Sequence, residues 1–265
     1  MTGNEKWHVC SDPGPRSMNQ DSAFAGLVQN AAGVDTVVLC VADGVGGGEH
    51  GEKASRLAVE AVQDLIREHS FTRLSELELD LVGKGLTELN EAIQRLADQD
   101  ESVNTTLTLC FILGDESLLF HVGDSRLYVV DDQGCRQFTK DHTVLQEVLD
   151  QGGDEDAVDT RVGRALARYL GTGGAADVDV ARNFMPPDRP CWLVLTSDGV
   201  HGCMDSTTLL RLCGAGGSAQ QVALRLVQSA LEAPTKDNAT AVVYRSGPSV
   251  PVKTLTAPPA AKRDT

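Results

Sequence analysis

The sequence predicts an α+β domain in which antiparallel β-sheets carry α-helices on their outer faces. Short runs of apolar and β-branched residues recur along the chain, and most end in Gly or Asp turns, which is typical of strands. Three longer segments have apolar residues at helical spacing instead. The runs and the helical segments do not alternate regularly, as a parallel doubly wound sheet would require, so antiparallel sheets are favoured.

Six of the short runs are predicted to be strands because they combine β-branched and aromatic residues with turn residues at their ends. In chain order they are TVVLCVAD (36–43), TTLTLCFIL (105–113), LLFHVGD (118–124), RLYVVDD (126–132), CWLVLTSDG (191–199) and ATAVVYR (239–245). Cys40, Cys110 and Cys191 lie in these runs, and we expect them to be small core residues.

The segments predicted to be helices are 51–69, 74–99 and 218–232. In the first, Leu57, Ala61 and Leu65 recur every four residues and would form one apolar face. The third begins at Ser218, whose hydroxyl is well suited to cap a helix N-terminus.

The bulk composition is that of a globular protein. The 265 residues are 41% hydrophobic and are numerous enough to bury a substantial core. We interpret residues 1–245 as one domain and residues 246–265, which are rich in Pro, Ala, Ser and Thr, as a disordered tail. The formal charge of −15 would repel nucleic-acid backbones, so no nucleic-acid partner is expected.

Cysteine usage and the lack of targeting signals favour a cytoplasmic protein. The seven cysteines are scattered without a CxxC pair, which disfavours a zinc ribbon or a thioredoxin-type site and suits a reducing compartment. The first residues contain no apolar signal-peptide core, and no apolar stretch approaches the ~18 residues of a membrane span. No association with a membrane is expected.

Aspartates at the ends of predicted strands are candidate metal ligands. Asp43, Asp124 and Asp198 each close an apolar run, and Asp237 precedes one. If these ends meet in space, their mutual repulsion is tolerable when cations lie between them, and carboxylate oxygens favour Mg²⁺ or Mn²⁺. The glycines around Asp43 would leave room for an ion. The alternative is that each Asp-Gly pair is an ordinary turn, or that each Asp caps a following helix.

Seven blocks of sequence resemble, in family order, the metal-dependent type-2C protein serine/threonine phosphatases of bacteria. They are RSMNQDS (16–22), VADGVGGGEHGEKAS (41–55), NTTL (104–107), HVGDSRLYVV (121–130), TKDHT (139–143), LTSDGV (195–200) and KDNATAVVY (236–244). The resemblance spans roughly residues 7–245. It implies a central β-sandwich of two antiparallel sheets, flanked by helices on both outer faces, with a centre of two Mn²⁺ or Mg²⁺ ions at one edge.

The resemblance also implies a role for each candidate ligand. Asp43 would bridge both ions, Gly44 would offer its carbonyl oxygen, and Asp198 and Asp237 would hold one ion. Asp124 would bind a third and weaker ion, and Asp21 would complete the metal site from the second coordination shell.

Arg16 would hold the substrate phosphate, which suits the fork of its guanidinium group. The alternative for Arg16 is a surface ion pair with Asp21, and both can be true. The polar segment 144–170 corresponds to the family's flap beside the active site. Its alternative is an ordinary pair of surface helices.

The implied activity is hydrolysis of phosphoserine and phosphothreonine in proteins by water activated between two ions. The implied partners are phosphorylated proteins, including a Ser/Thr kinase and its targets, and the family analogy favours a monomer.

Two positions depart from the family pattern. Val45 stands where many eukaryotic members have a histidine, and Gly202 stands where an aspartate is common. Gly202 weakens the assignment of a third ion to Asp124. The second hypothesis is therefore a catalytically weak or inactive phosphatase-like binding module.

Overall fold

The chain is described by a computed structural model over residues 6–45, 49–97 and 103–247. The strands are β1 (Trp7–Asp12), β2 (Asp21–Gln29), β3 (Asp35–Val45), β4 (Asn104–Thr105), β5 (Leu107–Leu113), β6 (Glu116–Val122), β7 (Arg126–Asp131), β8 (Gly134–Gln137), β9 (Asp179–Arg182), β10 (Trp192–Thr196) and β11 (Ala239–Arg245). The helices are α1 (Glu49–Glu68), α2 (Leu74–Asp80), α3 (Leu86–Gln94), α4 (Val144–Asp150), α5 (Thr160–Gly163), α6 (Asp198–His201), α7 (Ser206–Gly214) and α8 (Ala219–Glu232). A π-helical turn at Leu81–Gly85 and a 3-10 turn at Glu155–Ala157 complete the set.

Two antiparallel sheets form the centre of the fold. The first has the strand order β1-β11-β10-β7-β8, and the second has the order β2-β3-β5-β6-β9, with the short β4 paired to the end of β3. All the strand pairs that the structure describes in these sheets are antiparallel. This confirms the predicted fold class.

Alternate residues of one strand serve different layers of the core. Leu193 and Leu195 of β10 lie between the two sheets, whereas Val194 packs with residues of α7 and α8. In β3, Leu39 likewise lies between the sheets, and Cys40 packs with residues of α1. Because both faces of each sheet are covered, these strands are continuous apolar runs in the sequence.

Helices cover both outer faces of the sandwich, as expected. α1, α2 and α3 lie on the second sheet, where Ile66, Leu77 and Ile93 are fully buried. α7 and α8 lie on the first sheet, where Leu209 and Leu226 are buried. The result is four layers with three apolar interfaces.

One predicted helix contains a π-helical turn. In the segment 74–99, α2, the π-helical turn and α3 follow one another without a gap, so the predicted helix is confirmed from Leu74 to Gln94, where α3 ends. Gly85 lies in the turn, where a Cβ would be 2.5 Å from Cδ1 of Leu65 in α1. The cap at Ser218 is confirmed, because its hydroxyl accepts from the Gln221 amide and the Gln221 side chain accepts from the Ser218 amide.

The strands that the sequence did not reveal are mostly edge strands. β1 and β8 flank the first sheet, and β2 and β9 flank the second. Their residues are mixed polar and apolar, because one side of an edge strand is not covered by a neighbouring strand.

The three cysteines predicted to be core residues are buried: Cys40, Cys110 and Cys191. Ser246, the first residue of the predicted tail, exchanges two hydrogen bonds with Cys191, through its own amide (2.9 Å) and its hydroxyl (2.7 Å). Residues 248–265 of the predicted tail lie outside the described residues. Among the helices that the structure describes, none has both the length and the apolar character needed to cross a membrane.

The segments that carry the candidate ligands meet at one edge of the sandwich. Asp43 lies near the end of β3 and pairs in register with Asp21 at the start of β2. Asp198 begins α6 directly after β10, and Asp237 precedes β11, the neighbour of β10. Asp124 lies in the turn between β6 and β7.

Candidate metal centre and phosphate-binding site

The predicted site residues line one cavity of about 510 Å³. Val45, Asn104 and the flap residues Arg164 and Tyr169 also line it. Asp21 is the one predicted site residue that is not part of the lining. It is 8% exposed and lies beside Asp43 in the sheet. The predicted residues in the lining are Arg16, Asp43, Gly44, Asp124, Asp198 and Asp237.

Gly44 is required by the packing of the chain itself. Its amide donates to the Gln20 carbonyl oxygen (3.1 Å), and a Cβ at this position would collide with the carbonyl oxygen of Gly51 in the first turn of α1. The glycines around Asp43 were expected to leave room for an ion. At Gly44, helix α1 uses that space.

Asp21 is held by the first sheet although it belongs to the second. Oδ2 of Asp21 accepts a hydrogen bond from the Ser197 hydroxyl (2.7 Å), and the Ser197 hydroxyl oxygen accepts one from the Thr240 amide (3.0 Å). Ser197 directly precedes Asp198. The Asp21 carboxylate is therefore joined by a buried hydroxyl to the residue that precedes Asp198.

The carboxylates raise one another's pKa. Burial raises the pKa of Asp43 well above its usual range, and the charges of Asp21, Asp198, Asp124 and Asp237 raise it further. Burial also raises the pKa of Asp124 to about 7 and that of Asp21 to about 6, each with a contribution from Asp198. The pKa of Asp198 is raised by burial and by Asp237. Such a cluster needs either protons or cations.

The donor set fits hard divalent ions. Oδ1 of Asp198 and Oδ1 of Asp21 are buried and accept no hydrogen bond from any described residue, so each has a lone pair available. Carboxylate and carbonyl oxygens are the ligands that Mg²⁺ and Mn²⁺ prefer. Over the described ranges, no three Asp, Glu, His or Cys side chains already stand as a preformed ligand group.

Arg16 lies on the wall of the cavity and contacts Asp237. Its NH2 group donates to Oδ2 of Asp237 (2.7 Å), and its Nε donates to the Lys236 carbonyl oxygen (2.9 Å). The expected ion pair of Arg16 is thus made with Asp237 and not with Asp21. Both side chains are largely exposed, so the pair contributes at most about 1 kcal/mol and does not prevent Arg16 from turning to a phosphate.

Asn238 is a site residue that the sequence analysis missed. Its side chain is buried and donates to the carbonyl oxygens of Pro13 and Met18 (both 2.9 Å) while accepting from the Gln20 amide (2.8 Å). These contacts hold the loop that carries Arg16. In the sequence, the available signal was the position of Asn238 directly after the candidate ligand Asp237.

The flap borders the cavity, as the family resemblance implied. Residues 164–169 contribute to the lining, and the bridge between Thr105 and Leu170 fastens the end of the flap to β4. Val45 is exposed at the cavity and has no proton to donate. Gly202 donates its amide to the Asp198 carbonyl oxygen (2.7 Å).

Comparison with known proteins identifies relatives across most of the chain. The Protein phosphatase 2C family model matches residues 15–209. The serine/threonine phosphatase stp of Listeria welshimeri is 28% identical over 233 residues, which cover 86% of this chain and 90% of that protein. PstP of Mycobacterium tuberculosis is 30% identical over 233 residues, which cover 86% of this chain and 42% of that protein.

Solved structures show the same similarity. The serine/threonine phosphatase of S. agalactiae superposes with a TM-score of 0.78 at 26% identity, over 90% of this chain and 98% of that chain. The catalytic domain of PstP in complex with two manganese ions superposes with a TM-score of 0.72 at 26% identity, over 91% of this chain and 98% of that one.

Proposed function

Since this chain belongs to the protein phosphatase 2C family, we propose that it hydrolyses phosphoserine and phosphothreonine in proteins with two Mn²⁺ or Mg²⁺ ions. The observation that carries the proposal is the shared cavity. Carboxylates from four separate segments line it together with Arg16. The raised pKa of Asp43 and of Asp124 supports a cluster built for cations.

The family resemblance assigns the ligands, and the assignment is supported by their common place in the lining of the cavity. Asp43, the Gly44 carbonyl, Asp198 and Asp237 would hold the two ions, and Asp124 would hold a weaker third. Asp21, behind Asp43, would support the ligands through Ser197. When bound, a pair of divalent ions lowers the pKa of water toward neutrality, supplies the attacking hydroxide and offsets phosphate charge.

The other residues of the cavity bind and orient the substrate. The Arg16 guanidinium would donate to two phosphate oxygens and stabilise their growing negative charge in the transition state. Arg164 and Tyr169 form part of the flap side of the cavity. Val45 cannot donate a proton to the leaving serine or threonine oxygen, so that proton comes from solvent.

The proposed substrates are bacterial phosphoproteins, among them a Ser/Thr kinase and its targets. The support is the similarity to the Ser/Thr phosphatases stp and PstP. Comparing the phosphoproteome of cells with and without the protein would identify them.

The test is turnover of p-nitrophenyl phosphate and of a phosphothreonine peptide, with Mn²⁺ and with EDTA. Asp43→Asn and Asp237→Asn should each lower the Mn²⁺-dependent rate about 100-fold or more without changing the circular dichroism spectrum. Arg16→Ala should lower kcat/KM by about 10- to 100-fold, because a charge-assisted hydrogen bond is worth roughly 1.5–3 kcal/mol. Asp132→Asn, at an exposed position outside the cavity, is the matched control.

Wild-type rates in either aspartate variant would refute the metal assignment. Phosphopeptide binding without turnover at any Mn²⁺ concentration would support the binding-module hypothesis instead.

A further inference from the structure

We propose that His142 is a positioning residue that fastens the turn carrying Asp124 to the base of the flap. By the base of the flap we mean residues 164–170. The proposal rests on the proposed function, since it concerns a candidate ligand and the flap of the same cavity.

His142 holds the residue before Asp124 at both of its backbone groups. The His142 Nδ1 accepts a hydrogen bond from the Gly123 amide (3.1 Å), and the His142 amide donates to the Gly123 carbonyl oxygen (2.8 Å). Gly123 has a φ of +105°, and a Cβ there would lie 2.5 Å from the side chain of Thr106. Because residue 123 has no side chain with which to anchor the turn, the orientation of Asp124 depends on His142.

The same residue holds the flap. The His142 carbonyl oxygen accepts from the Ala167 amide (2.8 Å). The other ring nitrogen of His142, Nε2, lies 3.1 Å from Oδ2 of Asp179. Oδ1 of Asp179 accepts a hydrogen bond from Arg168 (3.0 Å). Arg168 also donates to Asp177 (3.3 Å). Through backbone and ring together, His142 is linked to two consecutive residues of the flap base.

These contacts assign the tautomer of the ring. Nδ1 accepts from an amide, so the proton is on Nε2 and is donated to Asp179. The His142 side chain is 2% exposed, and burial lowers its pKa, although Asp179 acts in the opposite direction and Arg168 and Asp177 also face it. The ring of His121, 4.6 Å away, has its own pKa lowered to about 3 by burial and by His142. Both rings are therefore neutral at neutral pH.

On its other side, the Asp124 turn is tied to the strand of Asp43. The Thr106 hydroxyl oxygen accepts from the Asp43 amide (2.9 Å) and shares a hydrogen bond with the Ser125 hydroxyl (2.9 Å). The Thr108 hydroxyl donates to the Ser125 carbonyl oxygen (2.9 Å). Hydrogen bonds of Ser125 thus attach the turn to β3 and β5 on this side. His142 attaches the turn to the flap on the other side.

Two substitutions of His142 separate its two ring contacts. His142→Asn places an acceptor where Nδ1 stands and keeps the bond to Gly123, but it does not reach Asp179. His142→Gln places a donor near the Nε2 position and keeps the bond to Asp179, but it leaves the Gly123 amide without its acceptor. Asp179→Asn removes the charge beside the ring, and Asp177→Asn makes the same change on the other partner of Arg168.

The measurements are hydrogen exchange of the Gly123 and Ala167 amides, together with kcat and KM for a phosphothreonine peptide in Mn²⁺. We expect His142→Gln to speed Gly123 exchange and lower kcat, each by about 3- to 10-fold, the range that one lost hydrogen bond supports. His142→Asn should leave the Gly123 exchange rate and kcat at their wild-type values. It should instead raise the peptide KM about 3-fold, as should Asp179→Asn, because the flap loses its attachment to the ring. Asp177→Asn should change neither kcat nor the peptide KM.

Equal effects of the Asn and Gln variants on kcat, with unchanged Gly123 exchange, would overturn the proposal, because the ring would then only fill space. Variants that lower thermal stability and change nothing else would overturn it as well. Hydrogen exchange does not depend on turnover. A wild-type protein without Mn²⁺-dependent activity would refute the proposed function while the exchange data still decide the role of His142.

Discussion

Asp124→Asn should stabilise this protein when no metal is present. Burial, followed by the charges of Asp198 and Asp141, raises the pKa of the Asp124 carboxyl from 3.8 to about 7. At 1.36 kcal/mol per pH unit, ionising this group in the folded protein costs about 4 kcal/mol at pH 8. Partial exposure to the cavity reduces the cost, so we expect a gain of about 2 kcal/mol, or roughly 4–8 °C in Tm.

The sign of the pH dependence follows from the direction of the shift. Between about pH 4 and pH 7 the folded protein retains the Asp124 proton that the unfolded chain has lost, so this group's contribution to stability decreases as the pH rises. The advantage of Asp124→Asn should therefore be largest at pH 8, fall to about 40% of that value at pH 5, and vanish below about pH 4.

The assay is urea denaturation in EDTA at pH 5 and pH 8, followed by the same measurement at pH 8 in saturating Mn²⁺. Asp132→Asn removes the same charge from an exposed position and should change the free energy of unfolding by less than about 0.5 kcal/mol. Mn²⁺ should abolish the advantage of Asp124→Asn, because cations neutralise the cluster in the wild type. If the variant is no more stable than the wild type in EDTA at pH 8, the carboxylates do not repel one another as described.

Two further substitutions test the scaffold around the cavity. Gly44→Ala should lower the free energy of unfolding by about 3 kcal/mol, because the new Cβ would meet the Gly51 carbonyl group, and backbone atoms cannot move aside as a side chain can. An unchanged urea midpoint would contradict that contact. Arg126→Lys should cost about 2 kcal/mol, because Nε and NH2 of Arg126 donate to both carboxylate oxygens of Asp141 (2.8 and 2.6 Å) and lysine cannot form this fork. Arg67→Lys, in an exposed ion pair on α1, is the control and should leave the free energy of unfolding unchanged. Equal losses of stability in the two variants would show that the paired hydrogen bonds of Arg126 contribute no more than an exposed ion pair.

Strands were predictable from the sequence where both of their faces are buried. The runs around Leu39 in β3 and Leu193 in β10 are apolar on consecutive residues because one face meets the opposite sheet and the other meets helices. β1, β2, β8 and β9 are edge strands with mixed composition, so local patterns did not reveal them. The partners of β1 and β9 are also far away in the sequence. The π-helical turn within the segment 74–99 was not predicted, because the apolar residues of this segment keep a helical period through the turn.

The candidate ligands were predictable as residues but not as an arrangement. Aspartates beside glycines at strand ends were visible in the sequence, and the family resemblance named their roles. The contact of Arg16 with Asp237 and the loop tie by Asn238 both join residues more than 200 positions apart. No local pattern contains such information.

By itself, the sequence determined the strands that are buried on both faces, the three longest helical segments and the kinds of side chain at the strand ends, because these depend on neighbours within a few residues and on the need to cover apolar surface. Only the tertiary structure decided which carboxylates share a cavity, what fills the space beside Gly44, and that His142 contacts both Gly123 and Ala167. The physical reason is that electrostatic coupling and hydrogen bonding fall off steeply with distance in space, whatever the separation along the chain.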